Sequence, residues 1–208
     1  MKYLIASNRS FNDSVVATPE ELEEYIRTHP NLERIYFPFW SWKVPKHILD
    51  KIICVGFHAS PLPRGKGGTP IQNMIKLGYD NTELCMFRMT NEWDKGDVIK
   101  RTNISLKGSL SEIVDRLRWV ILNMINDKDS YNEKPSGNFN NVPENFKRIT
   151  DNLLPQHEKL SEIYDEIRMR DEEGHPKAFK YHGKYKIEFT DAELKKGEVR
   201  ANVRIKEG

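Results

Sequence analysis

Cysteine is almost absent from this 208-residue chain: Cys54 and Cys85 are the only two, so no disulfide framework can staple it. Cys54 sits in an apolar run, where a reduced, buried thiol is expected. Long apolar runs are missing too. The opening stretch MKYLIASNRSF turns polar after Ala6, and no later segment approaches the ~18 apolar residues of a membrane span, which reads as a cytoplasmic, soluble protein. An excess of either charge is also lacking, since 33 Lys+Arg face 31 Asp+Glu for a net charge of +2. Charge therefore announces no polyanion partner and leaves nucleic acid unsupported rather than excluded. A nucleic-acid partner is not expected, and a homodimer is left open.

Several chemistries lack their residues as well. The six histidines form no His-x-x-x-His pair and none lies beside a cysteine pair, so no metal site is expected. Gly65-Lys66 is followed by Gly67 rather than Ser or Thr, and Ser60 stands where a phosphate-binding loop needs its first glycine. Ser60 is not in a Gly-x-Ser-x-Gly elbow either. No internal repeat is visible.

What is present reads as alternating strands and helices. Residues 2–6, 33–37 and 51–55 carry strand patterns. Between the first two, Thr18-Pro19-Glu20-Glu21 is a helix start: threonine as N-cap, proline in the first turn, then acids. Val44-Pro45 opens a short helix before the third strand. Residues 70–77 have helical spacing with Gly78 as the stop, and 82–89 and 98–105 are two further strands joined by a polar turn. Residues 109–126 form an amphipathic helix with a Ser-x-x-Glu start. The pattern predicts an α/β fold, a shortened Rossmann-like parallel sheet with flanking helices. Residues 127–147 are polar and read as a linker or mobile loop. Beyond it, a helix over 158–170 and two strands at 185–189 and 199–205 suggest a small helix-plus-hairpin appendage. The expected division is a catalytic unit over 1–148 and a substrate-side appendage over 149–208.

His58 follows the third predicted strand, at the carboxyl end where open α/β sheets place their sites. Asp94, in the turn between the next two strands, could meet it above the sheet. A carboxylate beside an imidazole favours the charged ring, which can stabilise a developing oxyanion. By spacing alone an ordinary hydrogen-bonded loop histidine is the favoured reading of His58.

Three blocks in order carry a resemblance: His58-Ala59-Ser60-Pro61-Leu62-Pro63 with its glycine-rich turn and Thr69-Pro70, Asp94-Lys95-Gly96-Asp97, and the preceding Phe39-Trp40-Ser41-Trp42-Lys43-Val44-Pro45 segment. Together they resemble the N10-formyltetrahydrofolate-dependent formyltransferase family. The tail, with Ile163-Tyr164-Asp165-Glu166-Ile167-Arg168 and Pro176-Lys177-Ala178-Phe179, is similar to a block shared by its sugar-nucleotide and methionyl-tRNA members. The chain looks most like small amino-sugar N-formyltransferases of the pseudaminic-acid type, with carrier-bound amino-acid formyltransferase domains nearby. One departure stands out: the family's asparagine two residues before the histidine is Gly56 here, which a close backbone approach by substrate would explain.

The resemblance implies His58 and Asp94 as catalytic residues and N10-formyltetrahydrofolate as co-substrate, without a metal. It implies Trp40, Trp42, Arg88, Met89 and Asp94 on the folate side, and Arg64, Lys66, Gln72, Tyr164 and Arg168 on the acceptor side. The acceptor implied is the amine of a nucleotide-linked 4-amino-4,6-dideoxy sugar. An aminoacyl group on tRNA or a carrier protein, or a catalytically silent folate- or sugar-nucleotide-binding module, are the alternatives. Plain readings stand beside these: packing for the tryptophans, a solvated loop for 64–68, and a surface ion pair for Arg168.

Overall fold

A computed structural model of the chain describes residues 3–9, 11, 14–126 and 137–208. Its main sheet takes strands β1 (Tyr3–Ile5), β2 (Arg34–Phe37), β3 (Ile53–His58), β5 (Asn81–Arg88) and β6 (Val98–Ser105), in that spatial order. Between them lie α1 (Pro19–Thr28), α2 (Lys46–Leu49), the short strand β4 (Lys66–Gly67) and α3 (Pro70–Lys76). β1, β2 and β3 run parallel, as the alternating pattern suggests. β5 runs antiparallel to both β3 and β6, so the sheet is mixed and parallel-rich. Strand sequences carry no direction, and periodicity left this turn of the chain unread.

The strands form where apolar residues alternate to two covered faces. Leu4, Ile35 and Cys54 are register partners on one face, packed with Leu22 of α1 and Ile48 of α2. Ile5, Tyr36 and Val55 are partners on the other, where α4 (Leu110–Asn126) buries Leu110, Ile113, Val114, Leu117, Ile121 and Met124. α1 starts as expected: Thr18 accepts the Glu21 N–H at 3.2 Å, and the Glu21 carboxylate accepts the Ala17 N–H at 2.7 Å. At the far end of α3, Gly78 takes a positive φ of 78°.

The linker reading of 127–147 needs correction in its second half; residues 127–136 lie outside the described residues. Phe139, Val142 and Phe146 are buried in the α4-side core, and β7 (Asn145–Phe146) pairs in parallel with β4. Three apolar side chains scattered among polar ones suffice to pin this segment, a spacing that no period reveals. Beyond it come α5 (Leu160–Arg168), β8 (Ala178–His182), β9 (Tyr185–Lys195) and β10 (Glu198–Glu207), the strands forming an antiparallel sheet in the order β10, β9, β8. The hairpin turns at Lys196-Gly197, with Gly197 at φ 81°. Its strands are longer than the alternation indicates, and β8 is an additional one.

Candidate active site

β3 ends on His58, which is 8% exposed and lies between two polar turns. Its Nε2 sits 2.9 Å from the Gly65 carbonyl oxygen, and its Nδ1 lies 3.5 Å from Asp94 Oδ1. A carbonyl only accepts, so Nε2 carries the hydrogen and Nδ1 is the nitrogen turned to the carboxylate. Asp94 is held in turn by the Gly67 N–H, which donates to its Oδ2 at 2.9 Å.

The two turns are built to hold this arrangement. Residues 64–68 are clasped by the segment before β7: Gly65 N–H donates to Pro143 O at 2.7 Å and Lys66 N–H to Glu144 O at 3.0 Å. Ser60 Oγ donates to the Arg64 carbonyl at 2.9 Å. Asp94 has a left-handed φ of 52°, strained for a non-glycine residue and confined to the turn that presents it. Nearby, a Cβ added to Gly96 would fall 1.4 Å from the Arg88 carbonyl oxygen, so only glycine fits there.

Two cavities meet at Asp94, and His58 borders the larger of them. The larger, about 530 Å³, is lined by His58, Asp94, Gln72, Arg148, Arg9 and His175 among others. The smaller, about 50 Å³, is lined by Gly56, Phe87, Met89, Trp40 and Asp94 with neighbouring turn residues. Trp40, Phe57, Trp93 and Asp94 border both. Trp40 packs edge-on against Trp42 at 5.0 Å and Phe37 at 5.3 Å, yet its buried Nε1–H has no acceptor among the described residues. Such an orphan donor beside a cavity is a group a ligand can satisfy.

Of the folate-side residues read from sequence, Trp40, Met89 and Asp94 line the smaller cavity, whereas Trp42 only backs Trp40, and exposed Arg88 lines neither cavity. On the acceptor side, Gln72 lines the larger cavity and donates to Met169 O at 3.3 Å. Arg64, Lys66, Tyr164 and Arg168 line neither. Arg64 donates to Val142 O at 2.9 Å, and Lys66 pairs with Glu144 at 2.7 Å. Arg168 is 8% exposed; its guanidinium bonds Asp165 and the Leu106 and Gly108 carbonyls and stacks over the Tyr164 ring. These bonds fasten α5 to the segment between β6 and α4, and they engage with protein groups the guanidinium expected to face an acceptor. The space over Gly56 is likewise taken by protein: a Cβ there would lie 2.7 Å from Phe87 Cζ and 3.1 Å from Met89 Cγ.

Sequence reasoning missed a second polar group in the larger cavity. Arg9 Nη1 bonds both Glu172 carboxylate oxygens, at 2.9 and 2.8 Å, and Nη2 lies 2.6 Å from His175 Nε2. A guanidinium only donates, so Nε2 of His175 accepts. Burial, aided by the Arg9 charge, lowers the His175 pKa. The partners stand 163 and 166 residues apart, and no motif links them. Burial also pushes the Cys54 thiol up to about 12 and the Cys85 thiol up to about 11, which makes both poor nucleophiles. Among the described residues no cluster of three or more His, Cys, Asp or Glu side chains could hold a metal ion, and no helix is long and apolar enough to cross a membrane.

Comparison with known proteins gives a consistent set of relatives. Residues 150–206 match the family model described as methionyl-tRNA formyltransferase, C-terminal domain. A methionyl-tRNA formyltransferase from Bacillus pumilus is 26% identical over 165 residues, 74% of this chain and 51% of that protein. The chain thus spans about half the length of the curated relatives it matches. A solved structure of a methionyl-tRNA formyltransferase from Clostridium thermocellum is 30% identical, covers all of both chains and superposes with a TM-score of 0.85. The fold also matches a 4-N formyltransferase from Francisella tularensis at a TM-score of 0.56 and 14% identity, covering 88% of this chain and 93% of that one.

Proposed function

We propose that this chain, which belongs to the formyltransferase family, moves a formyl group from N10-formyltetrahydrofolate to a primary amine bound over His58. The observation that carries the reading is the contact of His58, which borders the larger cavity, with Asp94, which borders both cavities; we assign the smaller to the donor and the larger to the acceptor. Residues 1–148 would then supply the chemistry and 149–208 the appendage on the acceptor side.

The smaller cavity, about 50 Å³, has room for only an edge of the donor's pterin, toward which the orphan Trp40 Nε1–H and the apolar Met89 wall are set. When bound, the donor supplies the activated formyl carbon. The chain's own residues do the rest. Nε2 of His58 is anchored on Gly65, so Nδ1 and Asp94 Oδ1 are the working atoms. Their 3.5 Å separation is loose, and such contacts in free enzymes tighten with substrate. In this reading His58 acts as an imidazolium, with Nε2–H on Gly65 and Nδ1–H facing the oxygen on which charge develops. Asp94 Oδ1 takes the proton that the attacking amine gives up and returns it to N10 as the formyl–N10 bond breaks and tetrahydrofolate leaves.

For the acceptor we favour the amine of a nucleotide-linked 4-amino-4,6-dideoxy sugar. A cavity of about 530 Å³ suits a small molecule, and a net charge of +2 offers little field for a polyanion. The match of residues 150–206 to a methionyl-tRNA formyltransferase domain favours a second reading, an aminoacyl group on transfer RNA. The deciding experiment incubates the protein with N10-formyltetrahydrofolate and either aminated nucleotide sugars or aminoacyl acceptors. Tetrahydrofolate release with one formyl group added to the acceptor identifies the substrate class. No release with any primary amine would overturn formyl transfer and leave a binding module.

A further inference from the structure

We propose that Arg148 is the anchor for a phosphate group of the acceptor, an inference that rests on the larger cavity's being the acceptor side. Most cations near the site are already engaged. Arg9 is bound at both Nη1 contacts by Glu172, Lys66 by Glu144, Arg168 by Asp165 and two carbonyls, and Arg64 by a carbonyl. Arg148 lines the same cavity as His58 and Asp94, and among the described residues its guanidinium has no hydrogen bond, ion pair or ring contact. It does not border the smaller cavity.

Its place is fixed by the backbone around it. The Ile149 N–H donates to Thr69 Oγ1 at 2.9 Å, and Asn73 Nδ2 donates to the Lys147 carbonyl at 3.0 Å, so both neighbours of Arg148 are tied to the start of α3. Arg148 lies directly on Gly68: a Cβ at that glycine would sit 2.8 Å from Arg148 Cβ and 3.1 Å from its Nε. The side chain is therefore set down against a bare backbone, between the glycine-rich turn and the cavity. A planar fork with its donors free suits a phosphate, which takes two parallel N–H bonds.

Inorganic pyrophosphate serves as the probe, titrated into the full chain by isothermal calorimetry. Arg148→Ala is expected to weaken its binding ~10–100-fold, the range for losing a charge-assisted bidentate contact. Arg148→Lys should recover part of that loss. Arg64→Ala, whose guanidinium is engaged elsewhere, should bind as the unaltered chain does, and an unchanged melting temperature for Arg148→Ala checks the fold. With an active acceptor in hand, Arg148→Ala should raise the acceptor KM ~10-fold or more and leave the KM for N10-formyltetrahydrofolate within twofold. Equal pyrophosphate affinity in the Arg148→Ala and unaltered chains would overturn the proposal. So would a rise in donor KM alone, because the anion held would then be a folate carboxylate. The pyrophosphate arm needs no turnover, so a failure of formyl transfer and a failure of this subsite give different results.

Discussion

His58 is anchored by Gly65: its Nε2–H donates to the Gly65 carbonyl at 2.9 Å, and this bond turns Nδ1 toward Asp94. The glycine-rich turn therefore orients the imidazole, in addition to any contact it makes with substrate. Gly67, two residues on, orients Asp94 through its N–H. One short loop thus sets both members of the pair, and the loop is itself clasped by residues 143–146.

The first prediction concerns the pair itself. His58→Ala and Asp94→Asn should each lower kcat by ~100-fold or more, the scale for losing a donor or proton acceptor that acts in the transition state. Both variants should remain folded, since neither side chain belongs to an apolar cluster. Single-turnover assays on soluble protein provide the check. Near-normal rates in either variant would remove that residue from the chemistry.

Gly96 gives a second prediction. Because a Cβ there would lie 1.4 Å from the Arg88 carbonyl oxygen, Gly96→Ala must displace the turn that carries Asp94. Urea unfolding should show a loss of ~1–3 kcal/mol, as for overpacked sites. The folded fraction should also turn over ~10-fold more slowly, because the Asp94–His58 geometry moves with the turn. Lys95→Ala, at an exposed neighbour, is the control and should change neither quantity appreciably.

What the sequence discloses follows what its physics repeats. α4 shows a helical stripe and α1 a capped start, and both are where the spacing puts them. The direction of β5 has no counterpart in its residues, and the burial of Phe139, Val142 and Phe146 depends on partners distant in sequence. In the site, His58 and Asp94 could be paired because one ends a strand and the other sits in the following turn, and they lie 3.5 Å apart. Arg168 could not be read correctly, because an arginine that binds buried carbonyls looks the same in sequence as one that faces a ligand. Arg9 and His175 show no local sign of their contact across 166 residues.

A third prediction uses pH. Burial and Arg9 lower the His175 pKa below its ordinary value of 6.5, so below that pH the unfolded chain takes up a proton that the folded chain resists. The stability present above pH 6.5 is then lost as pH falls through 6.5 toward the folded value. His175→Gln keeps an acceptor for Arg9 but does not titrate, so its melting temperature should fall less between pH 7.5 and 5.5 than that of the unaltered chain. Parallel melting curves across that window would show that His175 contributes nothing to the acid sensitivity.

The last prediction concerns Gly56, where the formyltransferase signature has asparagine. A ligand lying on a bare backbone would explain the glycine, but the atoms above it belong to Phe87 and Met89, at 2.7 and 3.1 Å from where a Cβ would stand. Phe87 is 4% exposed, so its ring has little room to withdraw. Gly56→Asn should therefore cost ~1–3 kcal/mol of stability, as overpacking does, and should not raise kcat. Phe87 and Met89 also line the smaller cavity, so the displaced ring should raise the KM for N10-formyltetrahydrofolate. Adding Phe87→Leu to Gly56→Asn tests the cause: if crowding is responsible, the double variant is more stable than the sum of the single effects predicts. Additive losses would point away from the Phe87 ring. A several-fold gain in kcat for Gly56→Asn alone would show that the site lacks an amide donor, and that the packing of Phe87 over Gly56 is not what keeps a side chain out.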